Sequence, residues 1–211
     1  MNETPKIIIV HNGKGGVGKT TTTMGLAAIF AETMEVAVVD ADEQGSCSWW
    51  AERGQMPFRF SKVTDPEELR QLKQIQGYNL VIVDTPPALQ PAVVTALMAI
   101  ADYVVLPSPC APMDLAILVQ TVQEVVAPTK VDHRVLLTRV DSRSLREAID
   151  AQNQLLSLGI PTCHSFVRAY KAHERAALDG ATITQAKGKQ AREAEADYRR
   201  VADELKRDWR N

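Results

Sequence analysis

Short runs of apolar residues recur along the chain, most of them ended by an acidic or glycine-rich stretch and followed by a segment of helical spacing. They are Lys6-Ile7-Ile8-Ile9-Val10, Glu35-Val36-Ala37-Val38-Val39-Asp40, Asn79-Leu80-Val81-Ile82-Val83-Asp84, Tyr103-Val104-Val105-Leu106 and His133 to Val140. Continuous runs of this length predict strands buried on both faces. Phe58 to Val63 alternates weakly and predicts a shorter strand, and Thr162 to Val167 a final one. Between them, Thr20 to Glu32 carries Met24, Ala27 and Phe30 at helical spacing. Helices are also predicted for Ser48 to Arg53 (stopped by Gly54), Pro66 to Gln76, Pro91 to Ile100, Leu115 to Val126, Ser144 to Leu158 and Lys189 to Arg210. Glu67 and Glu68 in the first turn after Pro66 suit a helix N-terminus.

Strands alternating with helices imply an α/β fold, a mostly parallel twisted sheet covered by helices on both faces. No repeat, low-complexity tract or linker interrupts the pattern, so residues 1–211 are expected to form a single domain.

Composition narrows the function only by exclusion. With 45% hydrophobic residues and a net charge of −2, the chain is neither disordered nor globally basic, so any nucleic-acid contact has to come from a local patch. Cys47, Cys110 and Cys163 are far apart and form neither metal-ligand spacing nor a disulfide framework, which suits a reducing cytoplasm. The first five residues lack a basic signal-peptide start, and the apolar stretch Val93 to Leu106 is broken by Asp102 and too short for a membrane span. A cytoplasmic protein with no membrane partner is expected.

The candidate chemistry begins at Gly13-Lys14-Gly15-Gly16-Val17-Gly18-Lys19-Thr20, a glycine, four residues, then Gly-Lys-Thr. It lies between a predicted strand and a predicted helix, the context in which this pattern forms a phosphate-binding P-loop. Glycines let backbone N–H groups curl around an anion, and the new helix points its positive end at it. Lys19 is placed to neutralise the β- and γ-phosphates, and the Thr20 hydroxyl to ligate Mg²⁺. An ordinary P-loop does not require lysine at position 14. Lys14 is expected on the outer lip, able to project away from its own phosphates.

In open α/β sheets ligands sit beyond the carboxyl ends of the strands, where Asp40 and Asp84 also fall. Asp84, at the tip of an apolar strand, has the Walker B arrangement for holding Mg²⁺ or its water. Asp40 and Asp42 share a side if the chain stays extended, and a carboxylate beside a γ-phosphate can position the attacking water and accept its proton.

Lys14-Gly15-Gly16-Val17-Gly18-Lys19-Thr20-Thr21 resembles the deviant Walker A motif of the ParA/MinD family. The resemblance implies ATP and Mg²⁺ as cofactors and weak ATPase activity. The binding set is Gly13 to Thr21, and Lys14 is the signature lysine that reaches the partner's ATP across a nucleotide-sandwich homodimer. Asp40-Ala41-Asp42-Glu43-Gln44-Gly45 resembles the family's switch I, usually written Asp-x-Asp-Pro-Gln-Gly. By that match Asp42 is the hydrolytic aspartate and Asp40 supports the Mg²⁺ shell and the switch; Glu43 replaces the usual proline. Asp84-Thr85-Pro86-Pro87 resembles switch II, and Leu106-Pro107-Ser108-Pro109 into Pro112-Met113-Asp114-Leu115 the stretch after the next strand. Leu137-Thr138-Arg139 resembles the segment near the adenine, which makes Arg139 a nucleotide contact. The likeness spans nearly the whole chain and is strongest in residues 6 to 46 and 79 to 115.

As the resemblance implies, a small ParA-type protein dimerises with ATP, binds nucleoid DNA non-specifically and is released when a ParB-like or cargo-adaptor protein stimulates hydrolysis. The cargo, a plasmid, a carboxysome or a chemoreceptor cluster, is set by that partner. The DNA-facing cations would come from Arg168, Lys171, Arg175, Lys187, Lys189, Arg192, Arg199, Arg200, Lys206, Arg207 and Arg210, among which acids are interleaved. Two other readings share the motifs, a MinD-like membrane-cycling ATPase and a metabolic ligase of the dethiobiotin-synthetase type. Against the first, Tyr198, Val201, Leu205 and Trp209 form a narrow stripe suited to docking the last helix rather than to a membrane. Trp49-Trp50 is expected to pack in the core, and His11 to be a strand-end residue rather than a base.

Overall fold

A computed structural model describes residues 4–86 and 91–209. Pro87 of the switch II match and Arg210 of the basic set lie outside the described residues. The strands are β1 (Lys6–Val10), β2 (Val36–Asp40), β3 (Arg59–Lys62), β4 (Leu80–Asp84), β5 (Tyr103–Ser108) and β6 (His133–Leu137). They form one sheet in the order β3-β2-β4-β1-β5-β6, with every neighbouring pair parallel. The α-helices are α1 (Lys19–Phe30), α2 (Ser46–Ala51), α3 (Pro66–Arg70), α4 (Pro91–Met98), α5 (Pro112–Thr121), α6 (Leu145–Ser157), α7 (Lys171–Leu178) and α8 (Lys189–Asp208).

The apolar runs are buried on both faces, as their lack of alternation predicts. Ile8, Val10, Val38 and Ile82 face one core, shared with α1, α2 and α8. Ile7, Ile9, Val39 and Val83 face a second core, shared with α4, α5 and α6. This two-sided burial fixes the carboxyl ends of β1, β2 and β4 side by side, with Val10 and Asp40 each in register with Asp84.

One expected strand needs correction, and a second departure is a helix that was not expected. Thr162 to Val167 is not a continuous strand; it meets β6 at one isolated parallel bridge, Val135 with Thr162, and through the backbone bonds of Cys163 N to Val135 O at 2.8 Å and Val167 N to Leu137 O at 2.9 Å. In between, the backbone N–H groups of His164 and Ser165 donate to the Glu204 carboxylate at 2.8 and 2.7 Å instead of to β6. The second is α7, which the sequence pattern did not reveal. The helix expected over Pro66 to Gln76 also tightens into a 3₁₀ turn at Gln71–Gln74, and the one expected from Leu115 starts at Pro112 and turns into a π-helix over Val122–Val126.

The last helix is fastened rather than loosely laid on. Tyr198, Val201 and Leu205 are buried, and Tyr198 packs so closely on α1 that a Cβ at Gly25 would lie 2.6 Å from its ring. Asp197, also buried, is paired with Arg168 at 2.8 Å. No helix among the described residues is long and apolar enough to cross a membrane.

Candidate functional site

The residues between β1 and α1 form a closed cradle. Gly18 takes φ 97°, a conformation that favours glycine, and it caps α1 without a side-chain hydrogen bond to the helix start. The outer side of the loop is pinned by the segment after β6, where Thr138 Oγ1 donates to Val17 O at 2.7 Å and Arg139 Nη1 to Gly16 O at 3.0 Å. Asn12 braces its base, donating from Nδ2 to Pro107 O and accepting Lys14 N, each at 2.9 Å. Lys19 is 7% exposed, and its Nζ donates to Lys14 O at 2.9 Å. Burial lowers the pKa of the Lys19 ammonium, against the pull of Asp84 and Asp42. A buried cation at an uncapped helix start has one fitting occupant, a polyanion.

Beside the loop opens a cavity of about 600 Å³, the size of a small-molecule site. Gly15, Gly16, Gly18 to Thr21, Asp42, Thr85, Arg139 and the segment from Val167 to Lys171 reach its wall. Of the expected binding residues, Gly15, Gly16, Gly18 to Thr21 and Arg139 meet at this wall, whereas Gly13, Lys14 and Val17 do not line it. The wall from Val167 onward was missed from sequence, because only the fold brings it to the loop.

Asp42 is buried at the cavity, and its Oδ1 accepts Gln44 N at 2.9 Å. Asp40 lies one step behind. Its Oδ2 accepts Ser48 N and Ser48 Oγ at 2.8 and 2.7 Å, and its Oδ1 accepts Asp42 N at 3.0 Å. Both oxygens of Asp40 are thus engaged in bracing the turn that carries Asp42. Lys14 stands on the lip as expected, but its Nζ pairs with Asp114 Oδ1 at 2.6 Å, a partner in the first turn of α5 that sequence spacing did not suggest.

Thr20 Oγ1 donates to Asp84 Oδ2 at 2.6 Å, and Thr23 Oγ1 lies 3.4 Å from Asp84 Oδ1. One hydroxyl and one carboxylate fit Mg²⁺ held chiefly by water and phosphate oxygens. Among the described residues no cluster of three acids, histidines or cysteines offers an all-protein cage. Burial pushes the Asp84 carboxyl up to about 7, with Asp40 and Asp42 adding and the Thr20 bond and Lys19 opposing. A carboxylate held that high is not fully compensated by Lys19, and a divalent cation would supply the remaining counter-charge.

Since the folded pKa of Asp84 lies above the ordinary 3.8, the free protein loses stability as pH rises from about 4 towards about 7. Binding of Mg²⁺ with nucleotide needs the carboxylate, so it releases a proton and should tighten between about pH 6 and pH 8. Calorimetry in buffers of different ionisation enthalpy reads that proton; Asp84→Asn should abolish it and raise the melting temperature of the free protein by about 5 °C at neutral pH. An unchanged wild-type affinity across this range would contradict the Asp84 assignment.

The tandem tryptophans divide. Trp50 is buried and donates from Nε1 to Ala181 O at 2.9 Å, whereas Trp49 is 44% exposed beneath the Arg53 guanidinium. Of the basic set, Arg168 is tied to Asp197, Arg199 to Glu32 and Glu195, and Arg200 to Asp197. Lys171, Lys187 and Arg192 are exposed and have no ion pair among the described residues.

Comparison with known proteins agrees with this geometry. Residues 8–183 match the CobQ/CobB/MinD/ParA nucleotide binding domain. The maintenance of carboxysome distribution protein A of Gloeobacter kilaueensis is 58% identical over 208 residues, covering 98% of this chain and 96% of the relative. The chromosome-partitioning ATPase Soj of Thermus thermophilus is 33% identical over 69% of this chain and 74% of its own. The septum site-determining protein MinD of Pyrococcus horikoshii, solved with Mg-ADP, shares the fold at a TM-score of 0.78 and 19% identity, over 95% of this chain and 96% of that one. The chain belongs to the CobQ/CobB/MinD/ParA nucleotide-binding family.

Proposed function

We propose that this protein is a Mg²⁺-dependent positioning ATPase of the small ParA type. In this reading it forms an ATP-sandwich homodimer, binds nucleoid DNA without sequence preference and is released when a cargo adaptor stimulates hydrolysis. The observation that carries the reading is the pair of lysines on one loop with different partners. Lys19 turns inward, buried, towards the phosphate cradle, while Lys14 stands outward on the lip, with its charge on Asp114 rather than in its own cavity. A second lysine so placed is free to exchange Asp114 for a phosphate in another subunit. The 58% identity to a carboxysome-distribution protein favours a carboxysome, a protein assembly, as cargo over a plasmid.

The steps follow from this chain's own groups. The loop N–H groups and Lys19 hold the phosphates; Mg²⁺ at Thr20 and Asp84 would neutralise charge that develops on the β- and γ-oxygens. Asp42, oriented by its turn and braced by Asp40, aligns water and accepts its proton. Because positioning supplies nearly all the acceleration, turnover is slow until the adaptor completes the geometry.

DNA contact is assigned to a cluster of exposed cations without an ion pair among the described residues, Lys171, Lys187 and Arg192, on α7, α8 and the loop between them; Arg207, likewise without an ion pair, stands near the far end of α8. Arg199 and Arg200, each held by carboxylates, are poorer candidates. Fluorescence anisotropy with unrelated duplexes should give similar affinities in ATP and little binding in ADP. Lys171→Glu or Lys187→Glu should each lower the slope of log affinity against log salt by about 2, because each protomer of the dimer then neutralises one phosphate fewer. Binding indifferent to nucleotide, or confined to one sequence, would overturn the reading.

A further inference from the structure

The β1–β4 ladder ends at Val10 and Asp84, which face each other in register. Beyond them the chains part, one entering the phosphate loop and the other leading on from the Asp84 carboxylate. The Thr85 side chain spans that divide. His11 Nδ1 lies 2.9 Å from Thr85 Oγ1, and the Thr85 hydroxyl lies 2.9 Å from Val10 O.

The proton positions follow from the partners. A carbonyl oxygen only accepts, so Thr85 gives its single hydroxyl proton to Val10 O and must accept from His11. Nδ1 therefore carries the imidazole hydrogen, and Nε2 is a bare lone pair. Nε2 is buried with no partner among the described residues, and His11 itself is 1% exposed. Burial, with Lys19 adding, pushes its pKa down to about 4, so the ring stays neutral. The His11 backbone N–H also donates to Val105 O at 3.0 Å, clamping the residue between the end of β4 and the middle of β5. A buried nitrogen left without a partner is costly, so apolar packing alone is a poor reason for an imidazole here. What the ring supplies is the Nδ1–H, which continues the β1–β4 pairing one residue past the ladder.

We propose that His11 is a positioning residue for the Mg²⁺–nucleotide site, setting through Thr85 the span between the phosphate loop and Asp84. This rests on the ATPase reading above. The phosphate cradle does not depend on the His11–Thr85 bond, because it is held by Asn12, Thr138 and Arg139. Thr85 directly follows Asp84, so the bond acts on the residue next to the one that Thr20 meets at 2.6 Å, where Mg²⁺ would be held.

The test uses the full chain. In His11→Ala, ATP binding without Mg²⁺ should stay within about threefold of wild type, while the tightening by Mg²⁺ and the hydrolysis rate each fall about 10-fold. His11→Asn, whose side-chain N–H can stand in for Nδ1–H, should recover most of that loss. Thr85→Val should reproduce it, and adding His11→Ala to Thr85→Val should cost nothing further. Nitrogen-15 NMR of the histidine rings should find His11 neutral and protonated on Nδ1 at neutral pH. The proposal fails if His11→Ala keeps wild-type Mg²⁺ dependence and turnover, if His11→Asn is as poor as His11→Ala, or if Nε2 carries the proton. A wild type that binds no ATP would sink the ATPase reading and this proposal with it; ATP binding with hydrolysis indifferent to His11 sinks the proposal alone.

Discussion

Lys19→Met should weaken ATP binding at least about 100-fold, roughly 3 kcal/mol, and yet leave the nucleotide-free fold as stable as wild type or more so. The two halves share one cause. Lys19 is a buried ammonium whose pKa is lowered by desolvation, so in the free protein its charge is a burden that the fold carries for the ligand. Methionine keeps the aliphatic length and removes that burden along with the counter-charge for the phosphates. Isothermal titration with ATP and thermal denaturation of the free protein read the two effects separately. Retained affinity would mean that the cradle is not the phosphate site. A large fall in melting temperature would mean that Lys19 is structural.

Asp42→Ala should bind ATP and dimerise while its hydrolysis falls by about 100-fold or more, the usual contribution of a positioned general base. The alanine variant alone is ambiguous, because Asp42 Oδ1 also accepts Gln44 N and so shapes its own turn. Asp42→Asn resolves this, since an amide oxygen keeps that bond and cannot take a proton. Single-turnover hydrolysis should be equally poor in both variants. Asparagine turnover near wild type would assign Asp42 a purely conformational role.

The parts of this molecule legible in the sequence are those where one local rule is sufficient. Lys6 to Val10 and Leu80 to Asp84 read as buried strands because they are apolar throughout, and both cores claim them. The glycine loop is legible because strand, loop and helix are contiguous. What escaped depends on distant partners. In α7, eight residues long and half polar, three of the four apolar residues are alanines and only Ala176 is buried, so its apolar face is too slight to detect. Thr162 to Val167 has strand-like composition, and Cys163 and Val167 do donate to β6, but Glu204 of α8 takes the His164 and Ser165 N–H groups between them and breaks the ladder. Asp114 and His11 gain meaning only once Lys14 and Thr85, distant in sequence, are seen beside them. Trp49 and Trp50 show the limit of a rule applied to a pair, since adjacent helix positions point in different directions and only one can face the core.

The central claim, that Lys14 serves a second subunit, is tested most directly by sedimentation velocity with a non-hydrolysable ATP analogue and Mg²⁺. Wild type should shift from monomer with ADP to dimer with the analogue, and Lys14→Ala should remain a monomer in both while still binding the nucleotide. A Lys14→Ala protein that dimerises as wild type does would contradict the account.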